Sequence, residues 1–284
     1  MDKKSPIGLY GVLGYPAKHS LSPLMHNAAF GALKINAEYK IFEIEPRNLE
    51  DFISSLSENG ILGLNVTIPY KEKVLPLLDS VSREAELIGA VNTIRVSGAK
   101  SEGFNTDGEG FLRHLSQDLK FNPQGKCIAM LGAGGAAKAV SISLSKESPK
   151  SIAIYDIDKP KSQDLAEHLK QNFKNIEINS ADSQDALNLL KCDLLVNATP
   201  MGMKDSDPLP VDEKFIQKNL LVYDLIYNPK ETKLLALARK KGARYSNGLG
   251  MLLYQGVRSF ELWTGKIAPV KIMREALNKG VDSI

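Results

Sequence analysis

Two stretches of this 284-residue chain carry residue types at spacings that chemistry needs. In Met130-Leu131-Gly132-Ala133-Gly134-Gly135-Ala136-Ala137, the residues Gly132, Gly134 and Ala137 fill the G-x-G-x-x-G/A spacing of a dinucleotide fingerprint. The first glycine supplies a turn geometry that side chains disfavour, and the second lets the backbone approach a pyrophosphate. A helix opening here would offer the anion free N–H groups and the positive end of its dipole. A plain glycine turn before a helix has the same local form. The second set is polar and lies earlier. Lys71 follows a strand end and a proline and is expected to start a helix, where the dipole disfavours a cation and so favours proton transfer. A lysine is also, by habit, a solvated surface group. Asp107, in Gly103-Phe-Asn-Thr-Asp-Gly108, can be an acidic partner or the N-cap of a helix over 110–119. Asn65 and Thr67 close one expected strand and Asn92 opens another, although asparagine is depleted in strands and singly suits a turn cap.

The elements needed to position these groups follow from hydrophobic patterning. Short apolar runs at 8–14, 39–44, 62–68 and 91–96 read as strands, and helices are expected at 22–35, 48–56, from about 71, and from 82. The Ser22-Pro23 pair gives the first of these helices an N-cap and a first-turn proline. Beyond the glycine turn, strands are expected at 151–156, 176–178, 193–198 and 220–225, with helices at 162–173, 184–190 and 232–241 between them. Alternating strands and helices predict an α/β fold in two domains, each with a mostly parallel sheet, the second doubly wound. The polar residues at strand ends then stand where ligands bind in such sheets. Residues 250–264 and 270–277 read as closing helices.

Composition narrows the class. Thirty-six basic and 33 acidic residues leave a net charge of +3, which is no footprint for nucleic acid. No run approaches membrane-spanning length, and residues 1–6 lead into no apolar signal region, so a cytoplasmic protein is expected. Cys127 and Cys192 have no metal or redox spacing, and four scattered histidines form no ligand set, so no metal is expected.

The motifs His19-Ser-Leu-Ser-Pro23, Asn65-Val-Thr-Ile-Pro-Tyr-Lys71, Gly89-Ala-Val-Asn-Thr93 and Asn105-Thr-Asp-Gly108 come in the order seen in shikimate dehydrogenases. Gly132-Ala-Gly-Gly-Ala136, Asn197-Ala-Thr-Pro-Met-Gly202, Tyr223-Asp-Leu-Ile-Tyr-Asn-Pro229 and Gly248-Leu-Gly-Met251 continue that order to Gln255. The chain resembles that family over almost its whole length. The resemblance implies a substrate domain over 1–106 plus 248–284 and a Rossmann-type dinucleotide domain over 107–247, with the active site in the cleft between them. It implies reversible hydride transfer between a nicotinamide and the oxygen-bearing C3 of shikimate or 3-dehydroshikimate. Lys71 and Asp107 match the catalytic pair. Ser20 and Ser22 match the serines that hold the substrate carboxylate, and Thr67, Asn92, Asp107, Tyr227 and Gln255 match residues around the ring hydroxyls. Gly132, Ala133, Gly134, Gly135 and Ala136 match the cofactor turn, and Leu225, Gly248 and Met251 match the nicotinamide surround. The small-molecule substrate is the expected partner, in a monomer or homodimer.

One departure from the family bears on the cofactor. Many members carry Asn-Arg-Thr and a further arginine after the second strand of the dinucleotide domain, which clasp the 2′-phosphate of NADP. Here the stretch is Asp156-Ile157-Asp158-Lys159-Pro160-Lys161, with Asp156 placed 24 residues after Gly132. That is near the spacing of a carboxylate that bonds a ribose 2′-hydroxyl. A carboxylate facing a phosphate in a partly desolvated pocket is repelled by about a kcal/mol or more. Asp156 and Asp158 therefore predict NAD over NADP. Lys159 and Lys161 argue the other way, and both aspartates also suit the turn after the strand. An aspartate-bearing cofactor loop also occurs in relatives that oxidise quinate. The serine at position 22 favours shikimate, with NAD-dependent quinate/shikimate oxidation as the alternative.

Overall fold

The computed structural model describes residues 7–282; residues 1–6, which carry part of the expectation about a signal region, and residues 283–284 lie outside the described residues. Along the chain come β1 (Gly8–Gly14), α1 (Ser22–Ala32), β2 (Ala37–Glu43), α2 (Leu49–Ser54), β3 (Ile61–Val66), β4 (Ser80–Val81), α3 (Arg83–Ile88), β5 (Thr93–Ser97), β6 (Lys100–Phe104) and α4 (Asp107–Gln117). Then follow β7 (Cys127–Leu131), α5 (Gly135–Lys146), β8 (Ser151–Tyr155), α6 (Lys159–Asn172), β9 (Glu177–Ser180), β10 (Leu194–Asn197), β11 (Leu221–Asp224), α7 (Lys233–Lys240), β12 (Arg244–Ser246), α8 (Leu249–Thr264) and α9 (Val270–Val281). They gather into two compact units. One holds the residues up to Gly110 and from Leu253 onward, and the other holds Phe111–Leu252, so the divisions fall inside α4 and α8.

The first unit is built on a sheet of order β2-β1-β3-β5-β6-β4. β1 lies parallel to β2 and β3, but β5 runs antiparallel to both β3 and β6. The pairing of Ser97 with Lys100 leaves only Gly98 and Ala99 in the β5–β6 turn, with Gly98 at φ +60°. So short a link permits an antiparallel pair only, since a parallel return needs a long crossover. The sequence reading passed over β6, whose charged residues obscure its alternation. The reversal has a consequence for the site. The amino end of β5 lies beside the carboxyl ends of β3 and β6, with Thr93 opposite both Asn65 and Phe104. The core combines Leu13, Leu64, Val66 and Ile94 of the sheet with Leu49, Ile53 and Leu56 of the α2 region. Trp263 of α8 packs where Gly63 has no side chain; a Cβ there would come within 2.5 Å of the indole.

The helix expected from Lys71 is absent. Residues 71–74 form turns and only a single 3-10 turn, Leu75–Leu77, follows. Pro76 within it has no N–H to continue a helical ladder. The Lys71 carbonyl instead accepts from the Val91 N–H at 2.8 Å, tying this loop to the segment that leads into β5.

The second unit has the parallel order β9-β8-β7-β10-β11-β12, with the strand order reversing between β7 and β10. β10 and β11 are buried throughout, as strands covered on both faces must be. The predicted helix over 184–190 is a pair of 3-10 turns, Asp185–Leu187 and Leu189–Lys191, interrupted by Asn188 at φ +53°. Among the described residues no helix is long and apolar enough to cross a membrane, and no group of acidic, histidine or cysteine side chains could hold a metal ion.

Candidate active site

In the first unit the polar residues singled out from the sequence converge on one edge of the sheet. The carboxyl end of β1 leads to Ser20 and Ser22, that of β3 to Thr67 and Lys71, and that of β6 to Asp107, while Asn92 enters from the amino end of β5. The Lys71 ammonium donates to Asp107 Oδ2 at 2.6 Å, with the two side chains 26% and 9% exposed. A half-buried pair of this kind keeps its charges close while leaving the lysine reachable from solvent. The other oxygen, Asp107 Oδ1, accepts from Asn92 Nδ2 at 2.8 Å. The N-cap reading of Asp107 does not hold. It is the first residue of α4, and Asn105 Oδ1 accepts from its N–H at 3.1 Å, which leaves the Asp107 carboxylate to the lysine and the amide. Gln255, on α8, points its Oε1 to within 3.4 Å of Asn92 Nδ2.

Ser22 likewise is not the N-cap of α1. Leu21 holds that position, Ser22 is the first helical residue, and Ser20 Oγ accepts from the Ser22 N–H at 3.3 Å. The Ser22 side chain is buried against the Tyr39 hydroxyl. Burial holds the Tyr39 phenol well above its ordinary range, so it stays a neutral donor and acceptor. Gly14 lets Thr67 close in on β1, since a Cβ at Gly14 would lie 2.5 Å from Thr67 Cγ2.

In the second unit the glycine turn has the geometry its spacing predicts. Gly132 sits at φ +98°, and a Cβ there would come within 3.0 Å of the Ala198 carbonyl beyond β10. Gly134 is the N-cap of α5, and no side chain caps that helix. Nothing lies within 4 Å of the positions that Cβ atoms on Gly134 and Gly135 would take. Open N–H groups at the start of a 12-residue helix, beside empty space at the strand-order reversal, fit a dinucleotide pyrophosphate. Gly248 packs on the end of β11, where a Cβ would overlap the Leu225 carbonyl at 2.0 Å, and Met251 is buried one turn on. The Met251 N–H bonds the Tyr223 hydroxyl, which His114 Nδ1 also meets at 2.6 Å. Leu225, Gly248 and Met251 are thus brought to the carboxyl ends of the central strands. Tyr227 is half-buried in the same unit, and burial raises its phenol pKa.

The sequence reading missed the buried polar groups behind these residues. Thr93, Thr106 and Ser259 cluster behind Asn92, and Asp224 accepts from Asn197 Nδ2 at 3.0 Å and from Thr232 Oγ1 at 2.7 Å. Burial raises the Asp224 pKa against these donors. The one visible signal was an aspartate inside the apolar run Leu220-Leu-Val-Tyr-Asp-Leu225.

The Asp156 carboxylate accepts from two backbone groups, the Ala133 N–H at 2.7 Å and the Asp158 N–H at 2.9 Å. Asp158 is paired with Lys161 at 3.0 Å, and this carboxylate raises the lysine's pKa. Asp156 therefore closes the glycine turn onto the end of β8, as in the turn reading.

The chain matches the family model described as shikimate dehydrogenase substrate binding domain over residues 12–94. It matches that described as shikimate 5'-dehydrogenase C-terminal domain over residues 248–277. It is 48% identical over 272 residues to a shikimate dehydrogenase (NADP(+)) of Methanopyrus kandleri, covering 94% of this chain and 93% of the relative. A crystal structure of a shikimate dehydrogenase in complex with NADP+ superposes with a TM-score of 0.90 at 37% identity, covering 97% of this chain and 96% of the other. Shikimate 5-dehydrogenase from Thermus thermophilus, solved in complex with NADP(H) and shikimate, gives 0.87 at 32% identity, covering 96% and 99%. These names correct the expectation of NAD over NADP, because relatives this similar are NADP enzymes. The physical error lay in giving Asp156 and Asp158 to the ribose. In the structure both serve the turn after β8: Asp156 accepts from two backbone N–H groups and Asp158 pairs with Lys161.

Proposed function

The chain belongs to the shikimate dehydrogenase family, and we propose that it catalyses the reversible, NADP-dependent reduction of 3-dehydroshikimate to shikimate. The observation that carries this reading is the Lys71–Asp107 pair at 2.6 Å, set among Ser20, Ser22, Thr67, Asn92 and Gln255 at one sheet edge. Bound at the glycine turn, NADPH supplies a hydride.

The residues of the chain do the rest. Ser20 and Ser22, beside the start of α1, hold the substrate carboxylate through hydroxyl donors and the helix N-terminus. Thr67, Gln255 and Tyr227 orient the ring hydroxyls, and Asn92 holds the Asp107 carboxylate beside them. As C3 takes the hydride, negative charge grows on its oxygen, and the Lys71 ammonium donates a proton to that oxygen. In oxidation the neutral lysine takes the proton back. Asp107 holds the lysine nitrogen in place. Polarisation of the carbonyl comes from the ammonium. Gly132 to Ala136 hold the pyrophosphate, and Leu225, Gly248 and Met251 seat the nicotinamide.

Mixing the protein with shikimate and NADP+ and following NADPH absorbance tests the proposal. Shikimate-dependent NADPH formation is expected, and its absence at saturating concentrations of both would overturn the assignment.

A further inference from the structure

Behind Asp107 lies a buried cluster of amides and hydroxyls, Asn65, Asn92, Thr93, Thr106 and Ser259, each less than a tenth exposed. Its hydrogen bonds have a forced direction. The Thr106 backbone N–H can only donate, and it meets Asn92 Oδ1 at 2.8 Å. The Asn92 amide nitrogen must therefore face the other way, onto Asp107 Oδ1 at 2.8 Å and Thr106 Oγ1 at 3.0 Å. Both of its short N–H bonds thus end inside the protein, one on the carboxylate and one on the threonine hydroxyl. Asn65 is oriented in the same manner. The Tyr39 hydroxyl donates to Asn65 Oδ1 at 2.8 Å, which turns Asn65 Nδ2 toward Ser259 Oγ at 2.9 Å. Ser259 gives its own proton to the Gln255 carbonyl at 2.9 Å, so its oxygen is left to accept, with Thr106 Oγ1 3.2 Å away.

We propose that Thr106 is a positioning residue for proton transfer: its backbone sets the orientation of the Asn92 amide, and its hydroxyl holds that amide against Asp107. Through Asp107 this fixes the Lys71 nitrogen. The proposal rests on Lys71 and Asp107 being the proton-handling pair. Removing the hydroxyl leaves one Asn92 N–H without its partner in a buried setting, where an unmet donor is costly. The amide is then drawn toward the Gln255 Oε1, already 3.4 Å away, and off the carboxylate. Misplacing a reacting group by a fraction of an ångström slows the transfer while leaving remote binding contacts intact.

The test compares Thr106→Val, which keeps the shape and loses the hydroxyl, with Thr106→Ser, which keeps the hydroxyl. Steady-state kcat and the KM values for 3-dehydroshikimate and NADPH are measured on each, with melting temperatures alongside; Thr106→Ala replaces the valine variant if that one does not fold. The hydroxyl-less variant should lose about tenfold or more in kcat, while KM for NADPH stays within about twofold. Thr106→Ser should recover most of the lost kcat. Parental kcat in the hydroxyl-less variant, a loss confined to KM, or an equal loss in Thr106→Ser overturns the proposal. Lys71→Ala separates the two levels. If it abolishes turnover while Thr106→Val keeps the parental kcat, the positioning role fails and the catalytic pair stands; if Lys71→Ala turns over normally, the pair itself is wrong.

Discussion

His26 offers a prediction whose size can be worked from its surroundings. It lies in α1, fully buried, with neither ring nitrogen hydrogen-bonded. Its ring stacks on Tyr39 at 4.4 Å and 6°, with Trp263 centred 5.3 Å away. Burial pushes its pKa down from 6.5 to about 3, outweighing a favourable approach of the Asn65 side chain. Above pH 6.5 the imidazole is neutral in folded and unfolded chains, and the full stability is present. Below that value the unfolded chain binds a proton that the folded chain refuses, so stability falls progressively as the pH drops from 6.5 toward 3. At pH 5 the loss from this one group is about 2 kcal/mol. His26→Phe keeps a stacking ring and removes both nitrogens. Urea unfolding of parent and variant at pH 7 and pH 5, followed by fluorescence of the single tryptophan, reads the unit that contains the ring. The parent should lose about 2 kcal/mol more than the variant between the two pH values, since carboxylates common to both cancel. Equal losses would refute the burial argument.

Two further substitutions address the cofactor half. Gly132→Ala places a Cβ at φ +98° and 3.0 Å from the Ala198 carbonyl, a strain of about 1–3 kcal/mol, so KM for NADPH should rise about tenfold; an unchanged KM would remove the turn from the pyrophosphate site. Asp156→Ala should weaken NADPH binding, because the Ala133 N–H loses its acceptor and the glycine turn loosens; a tighter NADPH complex would restore the discarded view that this carboxylate repels the 2′-phosphate.

What could be read from the sequence follows a physical boundary. The glycine turn was legible because Gly132 meets a backbone demand that few other residues meet, and because strand, turn and helix are consecutive. The polar strand ends at Asn65 to Lys71 and Asn92 were legible because polar residues interrupt apolar runs. The direction of β5 was not, since it depends on a two-residue turn between strands whose pairing only the fold decides. Nor was Ser259. It meets Asn65 across 194 residues of chain and on α8 looks like any small helix residue. The double aspartate misled for a related reason. A carboxylate after a strand can face a ribose or close a turn, and the spacing is the same for both; here the Asp156 carboxylate accepts from the Ala133 and Asp158 N–H groups of the turn. The helix argument for Lys71 does not hold. The expected helix dipole is missing, and the group that acts on its ammonium is Asp107.

The central claim is that Lys71 moves the proton. Lys71→Ala, assayed for NADPH-dependent reduction of 3-dehydroshikimate at saturating concentrations of both, tests it most directly. The account predicts a fall in kcat of about 10³-fold or more with KM for both changed by less than about threefold. A variant whose kcat is intact and whose KM for 3-dehydroshikimate alone rises would make Lys71 a binding residue and contradict the account.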